Sequence, residues 1–390
     1  MLEERVRSQL FQQGAWHIRG KLPLSGMEAP MHVRTMEMHP YGDAASTLFH
    51  SRVAVVNSKG NKDTVDYESL GQDCVSVSLL ATGWEVLCLA DGHGLGGEWP
   101  AQKAVQAIPF FLACPHCTQR LQEGEVEKAL EHVFAEVQAD LESSAMASGR
   151  GLDFAGSTAS VILRHPSSST VWVATVGDSR VILVSENGAL LGATQDHKAD
   201  LPSEKARLES CGAKVISGTR AFGGGPLLRV FVPGTTGPGL AVSRSFGDMA
   251  LKDYGIFAEP EIVQWVVPIG AEVHCCVASD GLWDFFSNEE VGMYLAKNRA
   301  MGREAQDTVK DLMERARERW HAHGLYCDDI SIMTATFDTT SKWKQVPAMI
   351  SEAADADCVH QHRFQCCASV DSAGQGGHGC GPTPAGCVLQ

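Results

Sequence analysis

The chain has 390 residues, 44% of them apolar, enough for one large domain or two ordinary ones with a proper core. Its 47 acidic residues against 32 basic ones give a formal net charge of −15, which argues against nucleic acid as a partner. No apolar run approaches the roughly 18 residues of a membrane span, and the opening MLEERVRSQL has neither a signal-peptide pattern nor the second-position glycine that myristoylation needs.

Residues 1–50 show little periodicity and read as an N-terminal arm. Apolar runs at 52–56, 73–80 and 84–90 are predicted strands. The third leads into Asp91-Gly92-His93 within the glycine-rich LADGHGLGG. A carboxylate at a strand tip, backed by backbone free to turn sharply, suits a hard cation, although Asp-Gly alone also makes an ordinary turn. Helices are predicted at 101–113 and 125–146, the second with a core-packing stripe at Leu130, Val133, Phe134, Val137 and Leu141. Between them Cys114 and Cys117 form a lone C-x-x-C without the second pair of ligands a zinc site needs. Strands follow at 159–164, 171–176 and 180–184, with Gly177-Asp178 closing the second and a turn at Glu186-Asn187-Gly188 after the third. A helix at 203–211 precedes the Gly- and Pro-rich stretch 217–239, expected to be a surface flap. Strands at 262–267 and 273–279 come next, the latter ending in Asp280-Gly281. Helices at 288–297, capped by Ser287, and at 303–323 lead to Asp328-Asp329, directly before a strand at 330–337. Residues 338–390 drift into Ala, Gly, Ser, Pro, His and Cys and are expected to form a disordered tail.

Hairpin-like strand neighbours mixed with helices predict an α+β fold: a central β-sandwich of two mainly antiparallel sheets flanked by helices, in four αββα layers. Asp91, Asp178 and Asp280 stand at strand ends and Asp328 at a strand start. In antiparallel sheets such positions share an edge, so the four carboxylates are expected at one rim, where their mutual repulsion calls for a bound cation. The 13 cysteines have no regular spacing, and Cys88, Cys275 and Cys276 fall inside core strands, which indicates reduced thiols and a cytoplasmic or nuclear setting.

Eight blocks between residues 51 and 337 resemble, in order, those of the metal-dependent serine/threonine protein phosphatases of type 2C: DGHG (91–94), GSTAS (156–160), VGDSRV (176–181), QDHK (195–198), LAVSRSFGD (240–248), AEPEI (258–262), ASDGLWDFFSNEEV (278–291) and DDISI (328–332). The resemblance is nearest to the plant and protist branches. It implies a catalytic domain over 51–337 that hydrolyses phosphoserine and phosphothreonine with two Mg²⁺ or Mn²⁺ ions, a weaker third in some members, and a metal-bound hydroxide as nucleophile. By the same resemblance Asp91 bridges both metals, Gly92 lends its backbone carbonyl, Asp280 and Asp328 hold the second metal, Asp178 serves a third, Asp73 contacts the metals through water, and His93 is the general acid that protonates the leaving group.

Three positions depart from the family pattern. Gln72 stands where many members have Glu, Glu68 where they have a phosphate-binding arginine, and Asp329 where they have Asn. Lys59 or Lys62 is a substitute for that arginine or, equally, a solvated lysine. The rival readings are an inactive phosphatase-fold scaffold, which intact Asp91, Asp280 and Asp328 argue against, and a metal-dependent hydrolase of small phosphoesters, for which no G-x-x-x-x-G-K loop is present. The expected partners are phosphorylated proteins, acted on by a monomer, without nucleic acid. The terminal Cys387-Val388-Leu389-Gln390 matches a prenylation signal, so peripheral membrane contact through Cys387 joins the expectations.

Overall fold

The structure is a computed structural model that describes residues 16–21, 34–37, 52–60, 70–80, 82–218, 227–235, 239–324 and 326–339. The chain divides into two units, Met1–Met349 and Ile350–Gln390. The second lies outside the described residues, as does the expected tail beyond residue 339, Cys387 included, whereas Asp338, expected to open that tail, instead ends the last strand.

Two antiparallel sheets form the centre. The first runs β1 (Trp16–Lys21), β4 (Leu70–Leu79), β5 (Glu85–His93), β7 (Ala159–Arg164), β8 (Thr170–Val176) and β14 (Glu261–Val266), with two short strands, β6 (Gly156–Ser157) and β13 (Phe246–Gly247), added at the end of β5. The second runs β10 (Leu190–Ala193), β9 (Arg180–Ser185), β15 (Glu272–Ala278), β16 (Ile330–Asp338), β3 (Arg52–Ser58) and β2 (Arg34–Glu37). The stretch read as an arm thus supplies an edge strand to each sheet. Their sequences, WHIRGK and RTME, carry no continuous apolar run.

The alternation of side chains across a strand sorts the core into layers. Leu87 and Leu89 of β5 face Cys275 and Val277 of β15 between the sheets. Val86, Cys88 and Ala90 point the other way, onto helices α1 (Glu98–Ala113), α2 (Pro115–Gln122) and α3 (Val126–Ser148), against Ile108, Leu130 and Phe134. Cys276 and Ala278 meet α7 (Asn288–Ala300) and α8 (Ala305–His323) through Val291, Leu312 and Trp320 on the far side of the second sheet. This is the predicted αββα order. The strands read as unbroken apolar runs because both of their faces are covered.

Burial pushes the thiols of Cys88 and Cys276 up to about 12 and that of Cys275 up as well, so these cysteines are packing groups. Cys114 and Cys117 flank the start of α2, a helix the sequence reading did not predict. Pro115 sets its first turn, and its buried side is only Cys117 and Leu121, too short a stripe to show as periodicity. Within 217–239 the flap holds part of a hairpin, β11 (Lys214–Gly218) with β12 (Leu227–Phe231). Beside it α4 (Pro202–Ser210) contributes Leu208, and the short α5 (Met249–Lys252) contributes Leu251, to a small core with Val230 and Ile256.

Candidate active site

Register places the first two carboxylates side by side: Asp73 on β4 is the partner of Asp91 on β5. The backbone of Asp91 is fixed from both directions. Its amide donates to Thr158 Oγ1 at 3.0 Å, and its carbonyl accepts from the Thr158 amide at 2.9 Å and the Ser157 hydroxyl at 3.1 Å. Thr158 shares a 2.7 Å hydrogen bond with Ser179, the neighbour of Asp178, so the GST and GDS blocks brace one another. Gly92 follows in a space with no room for a side chain, since a Cβ there would lie 2.1 Å from the carbonyl oxygen of Gly97.

The second sheet brings its carboxylates to its own edge. Ala278 on β15 is flanked by Ile332 on β16 and Arg180 on β9, so the end of β15 and the starts of β16 and β9 lie together. Asp280 opens the short helix α6 (Asp280–Trp283), and Asp328 and Asp329 precede β16. Ser279 ties this edge to the other sheet: its hydroxyl donates to Asp73 Oδ2 at 2.7 Å and accepts from the Ser331 amide at 3.0 Å. Asp329 accepts the Gly60 amide on Oδ1 and the Gln72 amide on Oδ2, both at 2.6 Å. Asp328 accepts the Asp329 amide at 2.7 Å and the Tyr326 hydroxyl at 3.2 Å.

Asp73, Asp91, Asp328 and Asp329 are all less than a tenth exposed. Burial first, then the charge of Asp329 and less so that of Asp328, raises Asp73 to about 7 despite the hydrogen bond from Ser279. Asp73 Oδ1 is buried without a hydrogen-bond partner among the described residues.

Asp178 has an ammonium beside it, with Lys198 Nζ 3.1 Å from its Oδ2. Burial lowers the pKa of Lys198, but Asp178, Asp196, Asp284 and Asp280 more than offset this and hold it above the ordinary lysine value. Arg180 grips Asp196 through Nε and Nη2, each at 2.8 Å. His93 lies at the end of β5, and its Nε2 stands 2.7 Å from Asp248 Oδ2. Lys59 is 4% exposed, so it is not a solvated lysine. Lys62 and Glu68 lie outside the described residues.

The family profile described as Protein phosphatase 2C matches residues 66–323. The chain belongs to the protein phosphatase 2C family. It is 31% identical over 331 residues to "Probable protein phosphatase 2C 48" of Oryza sativa subsp. japonica, covering 76% of this chain and 86% of that protein. It is 30% identical over 301 residues to "Probable protein phosphatase 2C 34" of Arabidopsis thaliana, covering 70% and 79%. The fold matches a serine-threonine phosphatase 2C from Toxoplasma gondii with a TM-score of 0.60 at 20% identity, over 83% of this chain and 99% of that one. As a protein phosphatase 2C the chain is a phosphoric monoester hydrolase.

This phosphatase 2C offers a divalent ion the right donors. They are hard carboxylate oxygens at one rim, one of them buried and unbonded on an acid that burial and neighbouring charge keep from ionising readily. Among the described residues no three His, Cys, Asp or Glu side chains close around a single point. Sequence reasoning missed Asp248 and Lys198 as site residues, though both stand inside quoted blocks, SRSFGD and QDHK. Their partners, His93 and Asp178, are distant in sequence, and only the fold pairs them.

Proposed function

We propose that this phosphatase 2C hydrolyses phosphoserine and phosphothreonine in protein substrates with two Mg²⁺ or Mn²⁺ ions held by Asp91, the Gly92 carbonyl, Asp280 and Asp328, with Asp73 reaching them through water. The observation that carries this reading is the meeting of Asp73 and Asp91 with the Asp280 and Asp328 edge through Ser279. Two such ions supply hydroxide near neutral pH and offset the charge of the phosphate. The residues do the rest. Thr158 and Ser157 hold Asp91 in place, and Asp329 locks the Gly60 and Gln72 segments behind the site. His93 gives a proton to the departing serine or threonine oxygen, whose high basicity makes unassisted departure slow. A third ion at Asp178 has to compete with the Lys198 ammonium for the same carboxylate.

The test is phosphate release from phosphoserine and phosphothreonine peptides and from nucleotides, with Mn²⁺ and with chelator. Release from the peptides that stops with chelator, with little from nucleotides, is expected. Preference for nucleotides points to a small-phosphoester hydrolase, and no release from either to a scaffold. Asp280→Asn is expected to leave a folded protein with turnover reduced by about two orders of magnitude or more, and near wild-type rates would overturn the metal assignment.

A further inference from the structure

A three-strand ribbon carries His93 and its partner. β6 lies between the end of β5 and β13, so Gly156 is the register partner of both His93 and Gly247. His93 and Asp248, the residue after Gly247, meet across Gly156, where a Cβ would lie 2.1 Å from Asp248 Oδ2 and 2.6 Å from His93 Nε2. Gly156 is therefore the gap through which the two side chains reach each other.

The backbone around Asp248 is unusual. Among the described residues it is the one non-glycine with positive φ, at φ 49° and ψ 48°. Glycine is the usual occupant of this left-handed conformation, and Asp or Asn takes it occasionally, at some cost, because a short polar side chain can hydrogen-bond locally. A side chain is kept, and it is engaged throughout. Its carboxylate is 2% exposed and accepts the Ser245 hydroxyl at 2.5 Å on the same oxygen that faces His93. The Asp248 amide donates to Ala155 at 3.0 Å, and Lys252 Nζ donates to the Ser245 carbonyl at 2.7 Å, which fixes the turn from behind. Backbone strain held in place by surrounding bonds, in contact with a reacting group, is a pattern of functional sites. His93 itself is 24% exposed, so one side of the ring is clamped while another reaches solvent.

We propose that Asp248 is the positioning residue for His93, holding the imidazole by Nε2 so that the proton passed to the leaving oxygen is the one on Nδ1. A carboxylate only accepts, so the hydrogen of this bond belongs to Nε2. As the water-derived oxygen bonds to phosphorus, the bond from phosphorus to the serine or threonine oxygen breaks. Its electron pair takes the Nδ1 proton, and the imidazole keeps its Nε2 hydrogen on Asp248. This inference rests on the reading of His93 as the general acid.

The test uses the full chain with Mn²⁺ and compares kcat on a phosphoserine peptide with kcat on 4-nitrophenyl phosphate, whose leaving group needs no proton. Asp248→Asn suits the purpose because Asn tolerates the left-handed conformation. It is expected to lower the peptide-to-aryl kcat ratio about tenfold, with His93→Ala lowering it at least as far and the double variant no further. In ¹⁵N-histidine NMR of the chelator-treated protein, neutral His93 is expected to carry its hydrogen on Nε2 in the wild type and to lose that preference in Asp248→Asn. An unchanged ratio in Asp248→Asn beside a lowered one in His93→Ala overturns the role of Asp248 alone. So does a neutral wild-type imidazole protonated on Nδ1. An unchanged ratio in His93→Ala overturns the general-acid reading, and this inference with it. Should Asp248→Asn fail to fold, Gly156→Ala, which wedges the pair apart, carries the same expectation.

Discussion

Asp329 shows how one atom changes what a residue does. Two backbone amides, those of Gly60 and Gln72, each need an acceptor, and the two carboxylate oxygens provide them. An asparagine has one acceptor and would turn its NH₂ toward the other amide. Asp329→Asn is therefore expected to cost about 1–3 kcal/mol in urea unfolding, the penalty of one unsatisfied buried amide. The same carboxylate helps raise Asp73 to about 7 from its ordinary 3.8. Without metal, the folded protein then holds a proton that the unfolded chain has lost across the window from about pH 4 to pH 7. Stability of the chelator-treated protein is expected to fall as pH rises through that window, by on the order of a few kcal/mol, and to level off above it. Asp73→Asn should flatten the profile, and an unchanged slope in that variant would remove Asp73 as its source. Of these residues, Asp91, Asp280 and Asp328 were legible as strand-edge aspartates. Asp73 was legible only by resemblance, because at the first position of a predicted strand it looks like any polar residue that opens one.

At the scale of elements, what was legible was what burial dictates. Strands covered on both faces leave continuous apolar runs, and long helices leave a stripe, so β5, β15, α3 and α8 stood out. The exact strand ends did not. β5 runs on through Asp91 to His93 because β6 offers it a partner, and a two-residue strand such as β6 has no pattern of its own. Leu89 faces the space between the sheets and is fully buried. Leu89→Ala is expected to cost about 2–5 kcal/mol, read as a lower denaturant midpoint with an unchanged slope. Arg164 and Glu85, on paired positions of β7 and β5, form an ion pair of 3.4 Å with both side chains almost wholly buried, and Arg164 stacks over Phe337 of β16. Glu85→Ala leaves a buried guanidinium without that charge partner, and a loss of about 3–5 kcal/mol is expected.

For the molecule as a whole, the N-terminal stretch completes the sandwich: β1 covers the edge at β4, and β2 the edge at β3. Deleting residues 1–50 is expected to lower the melting temperature and to promote concentration-dependent association, both readable by calorimetry and light scattering, because two ladders lose their outer partners. The bonds that join the sheets at the site span great lengths of chain, 206 residues from Asp73 to Ser279 and 257 from Gln72 to Asp329, and the bond from Gly60 to Asp329 at the edge of the second sheet spans 269. Contacts this remote repay their loop-closure entropy late in folding. Phosphatase activity should then return last in a refolding experiment, after helical circular dichroism has recovered, so that the enzyme serves as the timekeeper of its own assembly.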